Sequence, residues 1–163
     1  MTDSFQVRIS KEEFIFSAAH FITYDGNICE RLHGHNYGVA TIIDGPLDEN
    51  QYVIDFIAVR NALKAITQSL DHHVLLPTNH TMIDVTSNGK EVTARFQDRR
   101  WIFPAEDCIL LPVTNTTAEL LARFIGEQLL EKLSQEPAAK PLGIQIEVDE
   151  CAGQIGIWHH RPV

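Results

Sequence analysis

CERLHGHNYGV, residues Cys29 to Val39, sets a thiol ahead of two histidines that flank a single glycine. If the histidine segment is extended, His33 and His35 point to the same face, because strand side chains alternate with a period of two. Two imidazoles on one face suit a tetrahedral metal, and zinc is the usual occupant of such nitrogen sites. Upstream, FIFSAAH ends in His20. There Phe14, Phe16, Ala18 and His20 share one parity, so the histidine continues a buried face to a strand end. An antiparallel hairpin from that strand to one starting near His33 returns the chain beside His20, with Cys29 in the connecting loop. Three histidines, an open fourth position and a nearby thiol describe a catalytic site. With Cys29 as the fourth ligand, the same residues describe a closed structural site, and the spacing alone admits both.

The bulk properties are those of one soluble domain. A chain of 163 residues with 44% hydrophobic and 21% charged content can bury a sizeable core. No run approaches the ~18 apolar residues needed to span a bilayer. MTDSFQVRIS also carries no apolar signal-peptide region, so no membrane partner and a cytoplasmic location are expected. Cys29, Cys108 and Cys151 are odd in number and widely spaced, as reduced thiols would be. A formal charge of −9 argues against a nucleic-acid surface. An anionic substrate would need locally clustered cationic charge, and no such run stands in the sequence.

Two segments read as helices. In the first, Asp55 is the N-cap, and Phe56, Val59, Leu63, Ile66 and Leu70 recur at helical spacing. The second opens with Thr116 and Glu119 in capping-box spacing, followed by Leu121, Phe124, Ile125, Leu129 and Leu133, and Pro137 and Pro141 bracket the linker after it. Alternation predicts strands over Phe5 to Ala19, Asn36 to Asp44, Ile144 to Asp149 and Gln154 to Trp158. A further pair is expected between Val92 and Phe103, turning near Asp98-Arg99. Paired strands separated by helices predict an α+β fold: an antiparallel four-stranded sheet with two helices on one face and an added hairpin. Its uncovered face and edges invite oligomerisation.

Two further positions carry chemistry. LDHHVLLP places Asp71 and His72 directly after the first helix. An aspartate beside a histidine orients the imidazole and raises its basicity, as a proton relay needs. The competing reading is a histidine drawn to a helix C-terminus by the macrodipole, with His73 an equal candidate. The relay gains force only if the fold brings His72 close to Cys29, whose thiol needs an activating neighbour. In IQIEVDECAG, Ile144, Ile146, Val148 and Glu150 share one face. A carboxylate ending an apolar face is costly unless paired. Its partner is either a basic side chain or a ligand with two adjacent N–H donors, such as the amino-pyrimidinone edge of a pterin or guanine.

The elements FSAAH, CERLHGHNY, YVIDF, LDHH, NTTAE and IEVDE, in this order, resemble the 6-pyruvoyl-tetrahydropterin and 6-carboxy-tetrahydropterin synthase family over nearly the whole chain. The resemblance implies a T-fold (tunnelling fold) over residues 1–163, whose sheets assemble into a trimeric β-barrel. Two trimers would stack into a homohexamer with active sites between subunits. It implies Zn2+ on His20, His33 and His35, and Cys29 as general base activated by Asp71 and His72. Glu150 would anchor the pterin, with Thr117 and Glu119 lining the same pocket. The implied substrate is 7,8-dihydroneopterin triphosphate. The carboxy branch cleaves its side chain to acetaldehyde and 6-carboxy-5,6,7,8-tetrahydropterin, for queuosine and 7-deazapurine synthesis. The pyruvoyl branch expels triphosphate without cutting the side chain. The C-x3-HGH spacing resembles the carboxy branch. Glu30 stands beside Cys29 as in relatives proposed to serve two pathways, releasing 6-hydroxymethyl-dihydropterin for folate; the alternative is a solvated loop residue. Cys151 departs from the threonine of many relatives, and residues at about 77–112 form an insertion. A non-enzymatic rival is a zinc-stabilised oligomer that binds pterins. A metallohydrolase is disfavoured, because no HExxH helix is present.

Overall fold

The computed structural model describes residues 4–134 and 143–161, so the bracketing Pro137 and Pro141 lie outside the described residues. The chain opens with β1 (Phe5–Ser10), a 3-10 turn (Glu12–Phe14) and β2 (Phe16–His20). Two short strands, β3 (Thr23–Tyr24) and β4 (Ile28–Cys29), lead into the long β5 (His33–Gly45). The helix α1 (Phe56–Leu70) precedes β6 (His73–Pro77), and β7 (Asp84–Ser87), β8 (Glu91–Phe96) and β9 (Arg99–Pro104) follow. Then come β10 (Cys108–Leu111), α2 (Ala118–Ser134), β11 (Gly143–Cys151) and β12 (Gln154–His160).

The fold is α+β, and β5 is its spine. Segments β1 and β2 pair with it in turn, Ser10 opposite Ala40 and Phe16 opposite Tyr37, so the single strand expected from Phe5 to Ala19 is broken by the 3-10 turn. On β5 rests β11, antiparallel, followed by β12. The expected antiparallel four-stranded sheet is therefore only part of a seven-stranded mixed one: β6 pairs with β2 in parallel, and β10 with β6 in parallel. HVLLP and CILL are short apolar runs without alternation, the pattern of parallel strands covered on both faces. Instead of a lone hairpin, β7, β8 and β9 form a separate three-stranded sheet. Val92 does pair with Phe103 across the expected β8–β9 turn, where Gln97 takes a positive φ of 54°.

Both helices bury one stripe against the main sheet. Asp55 caps α1, its carboxylate accepting from the Ile57 N–H at 2.7 Å. Val59, Leu63, Ile66 and Leu70 are buried, whereas Phe56, the first residue of the expected stripe, is exposed. In α2 the stripe is Leu121, Ile125, Leu129 and Leu133. The expected Thr116–Glu119 capping box is absent: the Thr116 hydroxyl donates to the Phe21 carbonyl at 3.1 Å, and the first helical turn closes on the Thr117 carbonyl. These stripes share a core with Phe16, Tyr37, Val39, Ile43, Ile146 and Val148. A second core, built on Phe21, Leu76, Val92, Ala94 and Phe96, joins the three-stranded sheet to the loop that holds Cys29. No helix among the described residues is long and apolar enough to cross a membrane.

Candidate metal and pterin site

The antiparallel register sets His20 opposite His33 and Ala18 opposite His35. All three imidazoles therefore emerge on the helix-covered face, at the end of the sheet where the apolar stripe stops. Their potential ligand atoms lie within 4.8 Å of one another. Cys29 is not a member of this cluster, which favours an open position over a closed four-ligand site.

Two of the rings are oriented by what their far nitrogens bind. His20 Nδ1 lies 2.9 Å from the Thr116 carbonyl and His33 Nδ1 lies 2.8 Å from the Arg31 carbonyl. A carbonyl only accepts, so both Nδ1 atoms carry the proton and both Nε2 atoms are left as acceptors when the rings are neutral. Burial lowers the His20 pKa to about 4; the Thr116 carbonyl opposes this, and His33 and His35 reinforce it. His20 Nε2 is buried without a hydrogen-bond partner. Nearby, Glu150 Oε1 stands 3.3 Å from it and 3.8 Å from His35 Nε2. A neutral imidazole lone pair facing a carboxylate oxygen is not an ion pair; a cation between the nitrogens satisfies both. The donor set fits a borderline-soft divalent metal such as zinc.

Glu150 reaches this position at a register shift in β11 between Asp149 and Cys151, where a bulge re-aims the side chain. The Tyr37 hydroxyl donates to its Oε1 at 3.5 Å. Burial first, and the Glu150 charge second, push the Tyr37 phenol upward, so it remains a donor. Glu150 also lines a cleft of about 440 Å³ with Thr117, Glu119, Gln154 and Gly156. The three residues expected to bind substrate thus converge beside the histidines. Gly156 makes the cleft possible: a Cβ there would meet the Ala118 carbonyl carbon and the Glu119 nitrogen at 2.5 Å each.

The catalytic trio is not brought together. Cys29 packs against the second core, and its thiol donates to the Glu30 carbonyl at 3.5 Å. Burial pushes that thiol up, Arg99 opposes, and Glu30 adds to the rise. Asp71 does pair with its neighbour, Oδ2 lying 2.8 Å from His72 Nδ1, and the Ser17 N–H, then His72, hold its carboxyl below the usual range. Yet His72 is 82% exposed and lines a different cleft, with Ser17, Ala18, Gly34, His35 and Asn36. That cleft reaches one member of the histidine cluster, His35, but not His20, His33 or Cys29. Besides Glu150, a second acid approaches the histidines: Glu30, whose Oε2 lies 3.7 Å from His33 Nε2. Thr116, Tyr37 and the Arg31 carbonyl had no signal in the sequence, because their roles arise from contacts between distant segments.

The family model for 6-pyruvoyl tetrahydropterin synthase matches residues 8–154. A putative 6-carboxy-5,6,7,8-tetrahydropterin synthase of Methanocaldococcus jannaschii is 31% identical over 140 residues, 85% of each chain. The 6-pyruvoyl tetrahydropterin synthase of Plasmodium falciparum superposes with a TM-score of 0.90 at 32% identity, over 99% of this chain and 100% of that one. A Plasmodium vivax synthase in which the catalytic residue, a glutamate, is replaced by alanine gives a TM-score of 0.90 at 26% identity over the same shares.

Proposed function

This chain belongs to the 6-pyruvoyl tetrahydropterin synthase family of lyases, and on that premise we propose that it is a zinc-dependent 6-carboxy-tetrahydropterin synthase. Its substrate is 7,8-dihydroneopterin triphosphate, cleaved to 6-carboxy-5,6,7,8-tetrahydropterin with loss of acetaldehyde and triphosphate in the queuosine and 7-deazapurine route. The observation that carries this reading is the convergence of the three clustered imidazoles with the Glu150 cleft.

His20, His33 and His35 would hold the zinc, which when bound would supply Lewis-acid charge beside the substrate side chain. Glu150 accepts the paired N–H donors of the pterin edge, while Thr117 and Glu119 close the cleft around the ring. Tyr37, held protonated, keeps the Glu150 carboxylate aimed. Cys29 removes a side-chain proton once the elevated pKa of its thiol is offset by an activating imidazole. Within one chain His72 lines a cleft that Cys29 does not. The relay is therefore completed by Asp71 and His72 of a second copy, as in a homohexamer with sites between subunits.

A second reading has one observation in its favour. Of the neighbours Cys29 and Glu30, the side chain that approaches the histidines is Glu30, and the Plasmodium vivax synthase uses a glutamate as its catalytic residue. With Glu30 as base, the chain releases 6-hydroxymethyl-dihydropterin, alone or beside the carboxy product. Mass spectrometry of products from zinc-loaded protein and 7,8-dihydroneopterin triphosphate tests both. Acetaldehyde with 6-carboxy-tetrahydropterin supports the first, and 6-hydroxymethyl-dihydropterin the second. A 6-pyruvoyl product moves the chain to the other branch, and unchanged substrate makes it a pterin-binding oligomer.

A further inference from the structure

From the three-stranded sheet of β7, β8 and β9, Arg99 hydrogen-bonds the chain just before the histidine segment. Arg99 Nη1 donates to the Cys29 carbonyl at 2.7 Å and Arg99 Nη2 donates to the Glu30 carbonyl at 2.9 Å. In an extended strand, successive carbonyls point to opposite edges. Two that meet one planar fork therefore fix a bend, and the bend decides where both side chains point. The fork is itself immobilised. Its guanidinium lies over the Trp101 ring at 4.5 Å, and Trp101 stacks on Phe21 at 4.5 Å between centroids. Phe21 directly follows the buried His20. The Glu30 N–H, bound to the Ile22 carbonyl at 3.0 Å, ties the bend to the same segment.

We propose that Arg99 is a positioning residue: its fork on the Cys29–Glu30 peptide sets which of the two side chains faces the histidine cluster. In the observed setting Glu30 faces the cluster and Cys29 packs into the second core. The inference rests on the proposed reading of this site as the place of proton removal.

The test uses zinc-loaded protein and the variants Arg99→Ala and Arg99→Lys, since an ammonium cannot bridge two carbonyls in plane. One readout needs no turnover: iodoacetamide labelling of Cys29, resolved by peptide mass spectrometry against the exposed Cys151. Labelling of Cys29 relative to Cys151 should rise at least about fivefold in both variants as the bend loosens. With 7,8-dihydroneopterin triphosphate, kcat should fall about 10–100-fold while KM stays near the wild-type value and zinc stays stoichiometric. Methylguanidinium should restore part of kcat to Arg99→Ala and leave wild type unchanged. Unchanged Cys29 labelling overturns the proposal, as does unchanged kcat in a variant of an active wild type. A kcat loss that tracks zinc loss and a lower Tm also overturns it. An inactive wild type would defeat the functional reading instead, and the labelling would then decide Arg99 alone.

Discussion

Glu150 Oε1 stands 3.3 Å from Nε2 of His20, a buried imidazole whose other nitrogen is already committed to the Thr116 carbonyl. Two acceptors meeting this closely inside a protein are destabilising unless something positive lies between or beside them. The contact joins the two halves of the site, since His20 belongs to the three-histidine cluster and Glu150 to the cleft lined by Thr117 and Glu119. It also makes metal content the first property to examine by mutation.

His33→Ala should lose stoichiometric zinc, because two imidazoles and open positions hold a structural equivalent poorly. Removing one nitrogen ligand should weaken zinc by at least the ~10–100-fold typical of losing an outer-sphere partner. Cys29→Ala should keep a full equivalent, as the thiol stands outside the cluster. Elemental analysis of the purified variants checks both. A full zinc complement in His33→Ala would sink the triad, and zinc loss with Cys29 would restore the closed four-ligand model.

Metal-free protein should lose stability on acidification through a defined window. His20 has a folded pKa of about 4, below its unfolded value near 6.5. Between these values the unfolded chain binds the extra proton, so stability is present above about pH 6.5 and is lost as pH falls toward 4. The shift corresponds to about 3 kcal/mol for this fully buried ring. Urea midpoints of chelated wild type and His20→Gln, compared from pH 7.5 to 4.5, isolate the contribution. Identical pH dependence in the two proteins would show that His20 is not held neutral by burial.

The histidine face was legible because it needs only parity: FIFSAAH and HGHNY each place their histidines in phase with buried residues, and a hairpin supplies the rest. The break between β1 and β2 was not, since Glu12 and Glu13 interrupt the pairing while Phe14 keeps the buried phase across the turn. Thr116 read as a helix cap because its hydroxyl has a local use; the fold gives it a tertiary one at the Phe21 carbonyl. The direction of Glu30 was invisible for the same reason. It is fixed by Arg99, 69 residues later in the chain.

Glu30→Gln and Cys29→Ala should separate the two candidate bases. Both variants keep zinc, and each should lower kcat about 10²–10⁴-fold for the reaction in which its side chain takes the proton. If Glu30 acts only in forming 6-hydroxymethyl-dihydropterin, its loss removes that product and spares 6-carboxy-tetrahydropterin. Equal rates and product ratios in Glu30→Gln and wild type would reduce Glu30 to a solvated loop residue.

Gly156→Ala should destabilise the fold by about 1–3 kcal/mol, the usual cost of overpacking. The new methyl meets backbone atoms of Ala118 and Glu119, which cannot rotate away as a flexible side chain would. Either β12 or the start of α2 must shift, and the cleft lined by Glu119 and Glu150 shifts with it. Thermal unfolding with parallel KM measurements checks this. A wild-type Tm with a wild-type KM would mean that β12 and α2 do not meet this closely in solution.

Within one chain His72 shares a cleft with His35 but not with His20, His33 or Cys29, so on the proposed reading a site that uses His72 and Cys29 together is built by two chains. His72→Ala and Glu150→Gln should each be inactive as homo-oligomers, one lacking the relay and the other the pterin anchor. When the two variants are unfolded together and refolded, some interfaces pair an intact His72 with an intact Glu150, and activity should reappear. Mixing without unfolding should restore none, provided subunits do not exchange. An active His72→Ala protein would remove this residue from the mechanism. Failure of co-refolded oligomers to regain activity would place both defects in one site of one chain and overturn the shared-site reading.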